Sequence, residues 1–269
     1  MTHEPVGTDG REQPVRFRGG GFAPRRIWFL PPLTFAGLLS AWYASAALYG
    51  PSFAIPAPWE VLAAFRALAL QGTLATHAFA SMQRLAYGWL LGVSSGVAIG
   101  FVIGLSAMAR STALPVVLAA FPVPKLALLP LFIAWFGIGE TAKIATIALG
   151  ILPPMVVATY SGIDSVDRSL IRMAQSFEVP TASILRRIIL PGAMPGILSG
   201  VQIATSIGIL LLVAAEMIAA DYGIGAFLVR AANLMRMDQL MVGVLLLAAL
   251  GLMASLLIAS AKRWLLRWH

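Results

Sequence analysis

The chain has 269 residues, of which 59% are hydrophobic and only 11% charged. Soluble domains carry about 25% charged residues, so water cannot solvate this surface and most of it faces lipid. A net charge of +8 would suit a nucleic-acid partner, but the basic residues cluster at the ends of apolar stretches, the pattern of membrane orientation, and nucleic acid is excluded.

Residues 1–26 are polar and rich in Gly, Pro and Arg. They read as a disordered cytoplasmic tail, not a secretory signal, because the apolar stretch after Arg26 is too long for a signal core. A membrane-spanning helix needs about 20 apolar residues. Residues 27–49 are charge-free and form the first expected span. Residues 51–83 hold Pro56, Pro58, Glu60, Arg66 and His77, and read as an outer loop with a short amphipathic helix. Residues 85–109 form the second span, bounded by Arg84 and Arg110. Gly88, Gly92, Gly96, Gly100 and Gly104 run down it at a spacing of four, a stripe that lets another backbone approach closely. Packing within the subunit is the plain reading, and a subunit interface or sliding surface the sharper one.

Residues 114–137 are apolar except for Lys125, and Pro115, Pro122, Pro124 and Pro130 predict a kinked third span. Trp135 and Phe136 at its outer end suit an interfacial anchor. Residues 144–163 form a fourth span containing Pro153 and Pro154. Residues 164–187 are charged and solvated. Residues 196–215 form the fifth span, ending at Glu216, and residues 240–261 the sixth, closed by Lys262 and Arg263. Trp264 and Trp268 suit the inner aromatic belt, and residues 264–269 form a short cytoplasmic tail. Six spans place both termini on one side. With that side inward, 13 of the 19 Lys and Arg are cytoplasmic, which fixes the orientation by the positive-inside rule.

The cytoplasmic segment 164–191 holds the most specific pattern. Residues 169–177 form a short amphipathic helix with Leu170, Met173, Ala174 and Phe177 on one side. Pro180 interrupts it. Thr181 starts a second helix, expected to stop at Pro191 and Pro195 before the fifth span. Two short helices at an angle present a compact knob to the cytoplasm.

This segment resembles the loop of ATP-binding-cassette importer permeases, written Glu-Ala-Ala, three residues, Gly, nine residues, Ile-x-Leu-Pro. Ile188, Leu190 and Pro191 fit its end. Counting back, Glu178 stands at the Gly, and Arg172-Met173-Ala174 stand at Glu-Ala-Ala, so Ala174 alone survives from the front half. The run from Pro122 through Lys125 and Trp135 to Glu140 is similar to the nitrate, sulfonate and taurine branch, as are Ala214-Ala215-Glu216-Met217 and Gly223-Ile224-Gly225.

The resemblance implies an all-α membrane protein of six helices with type I, MetI-like importer architecture, in the bacterial inner membrane. It implies partnership with separate ATPase subunits, a periplasmic or extracellular substrate-binding protein and a second permease copy, identical or not. The loop would dock into a groove on the ATPase, with Arg172, Ala174, Phe177, Glu178, Val179, Ile188, Leu190 and Pro191 at the coupling site. Arg172 reverses the family's charge, and Glu178 replaces a glycine that lets the two loop helices turn, at a cost of about 1 kcal/mol if that turn needs positive φ. The solute would be a small anion such as nitrate, a sulfonate or taurine. A heterocyclic vitamin precursor is the alternative within the branch, and an ion-coupled secondary transporter the alternative outside it.

Lys125 and Glu216 are ionisable residues within or at the edge of apolar spans, where charges face a cavity or a partner. Lys125 can draw an anion into the translocation path, or it can be salt-bridged or snorkel to the surface. Glu216 can share that path, pair with Lys125, or meet the external protein near the outer face. No phosphate-loop motif is present, so ATP, the required cofactor, would be bound by the partner ATPase. No paired carboxylate or His-Glu-x-x-His lies in a span, which argues against an enzyme and against a metal site. The absence of cysteine excludes thiolate chemistry and disulfides.

Overall fold

The computed structural model describes residues 28–49 and 55–266. The predicted tail at 1–26 and Trp268 lie outside them. The described regular elements are helices: α1 Leu30–Tyr49, α2 Pro58–Leu70, α3 Thr73–Leu105, α4 Ala107–Ala120, α5 Leu129–Phe136, α6 Glu140–Asp164, α7 Arg168–Ser176, α8 Thr181–Ile184, α9 Leu190–Ala219, α10 Ile224–Asn233 and α11 Met237–Leu265. Four helical segments among the described residues are long and apolar enough to cross a membrane, namely α3, α6, the run Thr181–Ala219 and α11. Five qualify if α4 and the Lys125–Phe136 segment, bent by 87°, count as one broken span. Charge-free α1, 20 residues long, is not among them.

The core is a layer of three helices, with α6 between α3 and α9. Ile147, Ile151, Met155 and Val156 of α6 are fully buried there. The glycine stripe of α3 explains the close approach on one side. A Cβ at Gly96 or Gly100 would lie 2.6 Å from the Cβ of Met155 or Thr159, so even alanine would force the helices apart. Gly88, Gly92 and Gly104 meet Ile147, Ile151 and Ile163 in the same way. On the other side of the layer, the indole of Trp89 on α3 donates to Thr205 Oγ1 on α9 at 2.8 Å.

Three sequence expectations are revised. The second span begins at Thr73, so His77 lies inside it instead of in a loop, and Arg84 lies inside it instead of at its edge. No residue from Thr73 to Gln83 is glycine or proline, and nothing there interrupts the helix. The third span is broken outright, with a short 3-10 turn, Lys125–Leu128, between α4 and α5. Pro122 and Pro124, on either side of Val123, remove two backbone donors at that break. Finally, Pro191 and Pro195 do not stop the second cytoplasmic helix. A wider π-helical stretch, Leu185–Ile189, accommodates the missing N–H of Pro191, and α8 runs on into α9 as one 39-residue segment.

Candidate functional site

Two clusters lie at opposite ends of the three-helix layer. The first is the turn between α6 and α9. Asp164, at the end of α6, accepts from Arg110 at 3.0 Å and from Arg168 at 3.3 Å, and the Arg110 guanidinium sits 4.8 Å over the Tyr160 ring. Asp167 caps α7 by accepting the Ser169 N–H at 2.8 Å. That bond holds the exposed Asp167 carboxyl below the usual carboxylate range. A depressed value means the cap is intact at neutral pH and weakens only as acid titrates the carboxylate.

At the other end of α7 the Val179 N–H reaches the Ala174 carbonyl (3.0 Å) and the Glu178 N–H reaches that of Gln175 (2.9 Å). This paired pattern is a Schellman cap, whose turning residue adopts left-handed backbone. Here that residue is Glu178, at φ 55°. A side chain at such a φ costs about 1 kcal/mol relative to glycine. Replacing Glu178 with Gly is therefore expected to stabilise the chain by about 1 kcal/mol, read as a raised melting temperature of the purified protein. A lowered one would show that the Glu178 side chain compensates for its backbone.

The cap and Pro180 turn the chain back so that α7 presents two faces. Ala174 is 6% exposed and Ile171 packs on the core, while Leu170, Met173 and Phe177 point outward at 45%, 53% and 76% exposure. Ala174 thus faces the bundle and does not join the outer row, because it lies about 100° around the helix from Met173. Arg172, Glu178 and Val179 are on the exposed side. Ile184 is buried and Ile188 packs on the core, whereas Leu190 remains at the surface. The knob is therefore seated through Ile171, Ala174, Ile184 and Ile188, and leaves an apolar face uncovered.

The second cluster is a charge network at the far end, buried except at Glu140, whose side chain is 56% exposed. Glu216, fully buried on α9, accepts from Arg84 Nη1 (2.6 Å), the Ser81 hydroxyl (2.8 Å) and the Gly225 N–H (2.9 Å). Arg84 also forks onto both oxygens of Glu140, and donates to the Tyr222 carbonyl at 2.5 Å. Lys143 closes the set at 3.0 Å from Glu140. Two cations meet two carboxylates, which is how a membrane bundle accommodates buried charge. The network ties α3, α6, α9 and the start of α10 together. Gly223, at φ 133°, passes so near the Glu216 carboxylate that a Cβ would overlap it.

This network corrects the expectation for Glu216. It does not pair with Lys125, and being enclosed it cannot meet an external protein. Lys125 instead sits at the break of the bent pair. Its ammonium donates to the carbonyls of Ala120 (2.8 Å) and Phe121 (2.5 Å), capping α4, and lies 5.6 Å from the Phe121 ring centre. Sequence reading missed Arg84, Ser81, His77 and Glu140. The available signal was helical phase: the glycine stripe, extended backwards from Gly88, passes through Arg84, Ser81 and His77.

Residues 96–268 match the family model described as "Binding-protein-dependent transport system inner membrane component". The chain is 37% identical to the taurine transport system permease protein TauC of Escherichia coli over 88% of each chain. It is 36% identical to that organism's putative aliphatic sulfonates transport permease protein SsuC, over 90% of this chain and 91% of the relative. Identity to the SsuC protein of Bacillus subtilis is 32%, over 96% and 92%. Among solved structures, an amino acid ABC transporter aligns with a TM-score of 0.58 at 19% identity, over 74% of this chain and 96% of the other. The inward-facing MetNI methionine transporter aligns at 0.56 and 17%, over 77% and 93%. At these identities the structural likeness speaks for the fold alone. The chain belongs to the binding-protein-dependent transport system inner membrane component family and is the permease subunit of an ATP-binding-cassette importer.

Proposed function

We propose that this permease works as one of a pair, imports a small sulfonate or taurine-like anion across the inner membrane, and performs no chemistry itself. The observation that carries the coupling part is the α7 knob. Its exposed row of Leu170, Met173 and Phe177 would fill a groove on an ATPase, and the unbroken segment Thr181–Ala219 would carry the groove's movement into the core as a lever. The orientation follows from the Lys and Arg distribution, with α7 and both termini in the cytoplasm. In this reading α1 is the remaining span, completed by neighbouring protein or lipid. The sulfonate class follows from the relatives' substrates, and the external binding protein selects within it.

Lys125 stands at the break of the broken span, where transporters place ion and substrate contacts. In the pathway it would attract the passing anion while capping α4. Lys125→Met is expected to slow ATP-driven uptake of radiolabelled taurine or an alkanesulfonate at least about tenfold, which equals the loss of about 1.4 kcal/mol in the transition state. Basal ATP hydrolysis should remain. Unchanged uptake at unchanged hydrolysis would remove Lys125 from the pathway.

A further inference from the structure

A cavity of 460 Å³ opens at the end of the bundle opposite the α7 knob, walled by α2, the start of α3, α10 and the start of α11. Its size falls in the range of small-molecule sites. Its lining is apolar along the alanines of α2 and at Phe227, and polar at Arg230, Arg236, Asp238, Gln71, Gln239 and His77.

The charges there are unspent. Among the described residues the side chains of Arg236 and Asp238 make no hydrogen bond or ion pair, so the two lie more than 4.0 Å apart although they share one cavity. Arg230 is held by one weak bond, from Nη2 to the Asp221 carbonyl at 3.3 Å. His77 is 3% exposed, and its Nδ1 lies 2.9 Å from the Gly223 carbonyl oxygen and 3.0 Å from the Gly223 nitrogen. The backbone adds a further sign. Met235 takes a left-handed φ of 56°, closing a cap in which the Arg236 N–H reaches the Ala231 carbonyl at 2.9 Å. This turn, strained for a residue with a side chain, delivers Arg236 to the rim.

Two guanidiniums and one carboxylate lining the same cavity without an ion pair between Arg236 and Asp238, together with the amides of Gln71 and Gln239, fit a ligand that is itself divided: an oxyanion at one end and an ammonium at the other. We infer that this cavity is a binding site for an aminoethyl oxyanion, with the oxyanion held by Arg230 and Arg236 and the ammonium by Asp238. Two sources share this chemistry, a free aminoethylsulfonate and the phosphoethanolamine headgroup of a lipid. The site is distinct from Lys125, and it stands whether or not the transported solute is a sulfonate.

The test uses the full-length chain in nanodiscs made of phosphatidylglycerol, which lacks an ammonium, and measures equilibrium binding of radiolabelled taurine. Arg236→Gln and Asp238→Asn alter side chains that have no hydrogen-bond or ion-pair partner among the described residues, so each variant should keep the melting temperature of the parent. Each should weaken taurine binding about tenfold or more, the loss of one charge-assisted contact. Adding phosphatidylethanolamine to the discs separates the sources. Displacement of taurine, with the lipid retained by the parent and lost by the variants in native mass spectrometry, identifies the headgroup as occupant. No displacement identifies the free solute. Failure of both taurine and phosphatidylethanolamine to bind would overturn the inference. So would binding that both substitutions leave untouched.

Discussion

Replacing Arg84 with Met should cost about 3–5 kcal/mol, the usual consequence of removing one partner from a buried ion pair. Glu216 is fully buried, and without the guanidinium it would keep its bonds to Ser81 and Gly225 but lose its counter-charge. Glu140 would lose both of its bonds to Arg84, though Lys143 would remain at 3.0 Å. The Tyr222 carbonyl would lose its donor, freeing the turn into α10. The expected result is a sharp drop in melting temperature and in yield of the purified permease. A double variant, Arg84→Met with Glu216→Met, should lose less than the single one, because it leaves no buried charge without a partner. A single variant as stable as the parent would show that the network contributes nothing to holding the helices.

The second large effect belongs to the knob. Phe177 is 76% exposed, so Phe177→Asp should leave the permease folded. Seated in an apolar groove of a partner ATPase, the aspartate would lose its water without gaining a hydrogen bond, at about 2 kcal/mol or more. The co-purified ATPase should then fall about thirtyfold, and ATP-driven uptake with it. An undiminished complex would mean that the ATPase grips another face. Phe177→Leu, which keeps the apolar surface, should retain most of the binding.

Much of this arrangement is legible from residue types alone, and the exceptions share a cause. Apolar length identifies α6, α9 and α11, because lipid demands it. The spacing of Gly88 to Gly104 marks a close-packed face before any partner helix is known. The turn at Glu178 is legible only through the family resemblance, which, counted back from Ile188-Ile189-Leu190-Pro191, sets Glu178 at the position of the motif's glycine. What is not legible are features that depend on partners distant in sequence. Arg84 looks like the edge of a span because charges usually end spans; here Glu216 and Glu140, brought in by α9 and α6, allow it to lie within one. Proline at 191 looks like a stop because the sequence gives no hint of the π-helical stretch that absorbs it. Glu216 and Lys125 resemble a pair because they are the conspicuous charges of apolar segments, but helical phase puts Glu216 on the face that meets Ser81 and Arg84.

The most direct measurement is uptake into proteoliposomes containing the permease and its ATPase, with the external binding protein added outside and a radiolabelled sulfonate as solute. Uptake should require ATP in the lumen and persist when ionophores collapse every ion gradient. Uptake that continues without ATP on an imposed ion gradient, with this permease as the only membrane protein, would contradict the account.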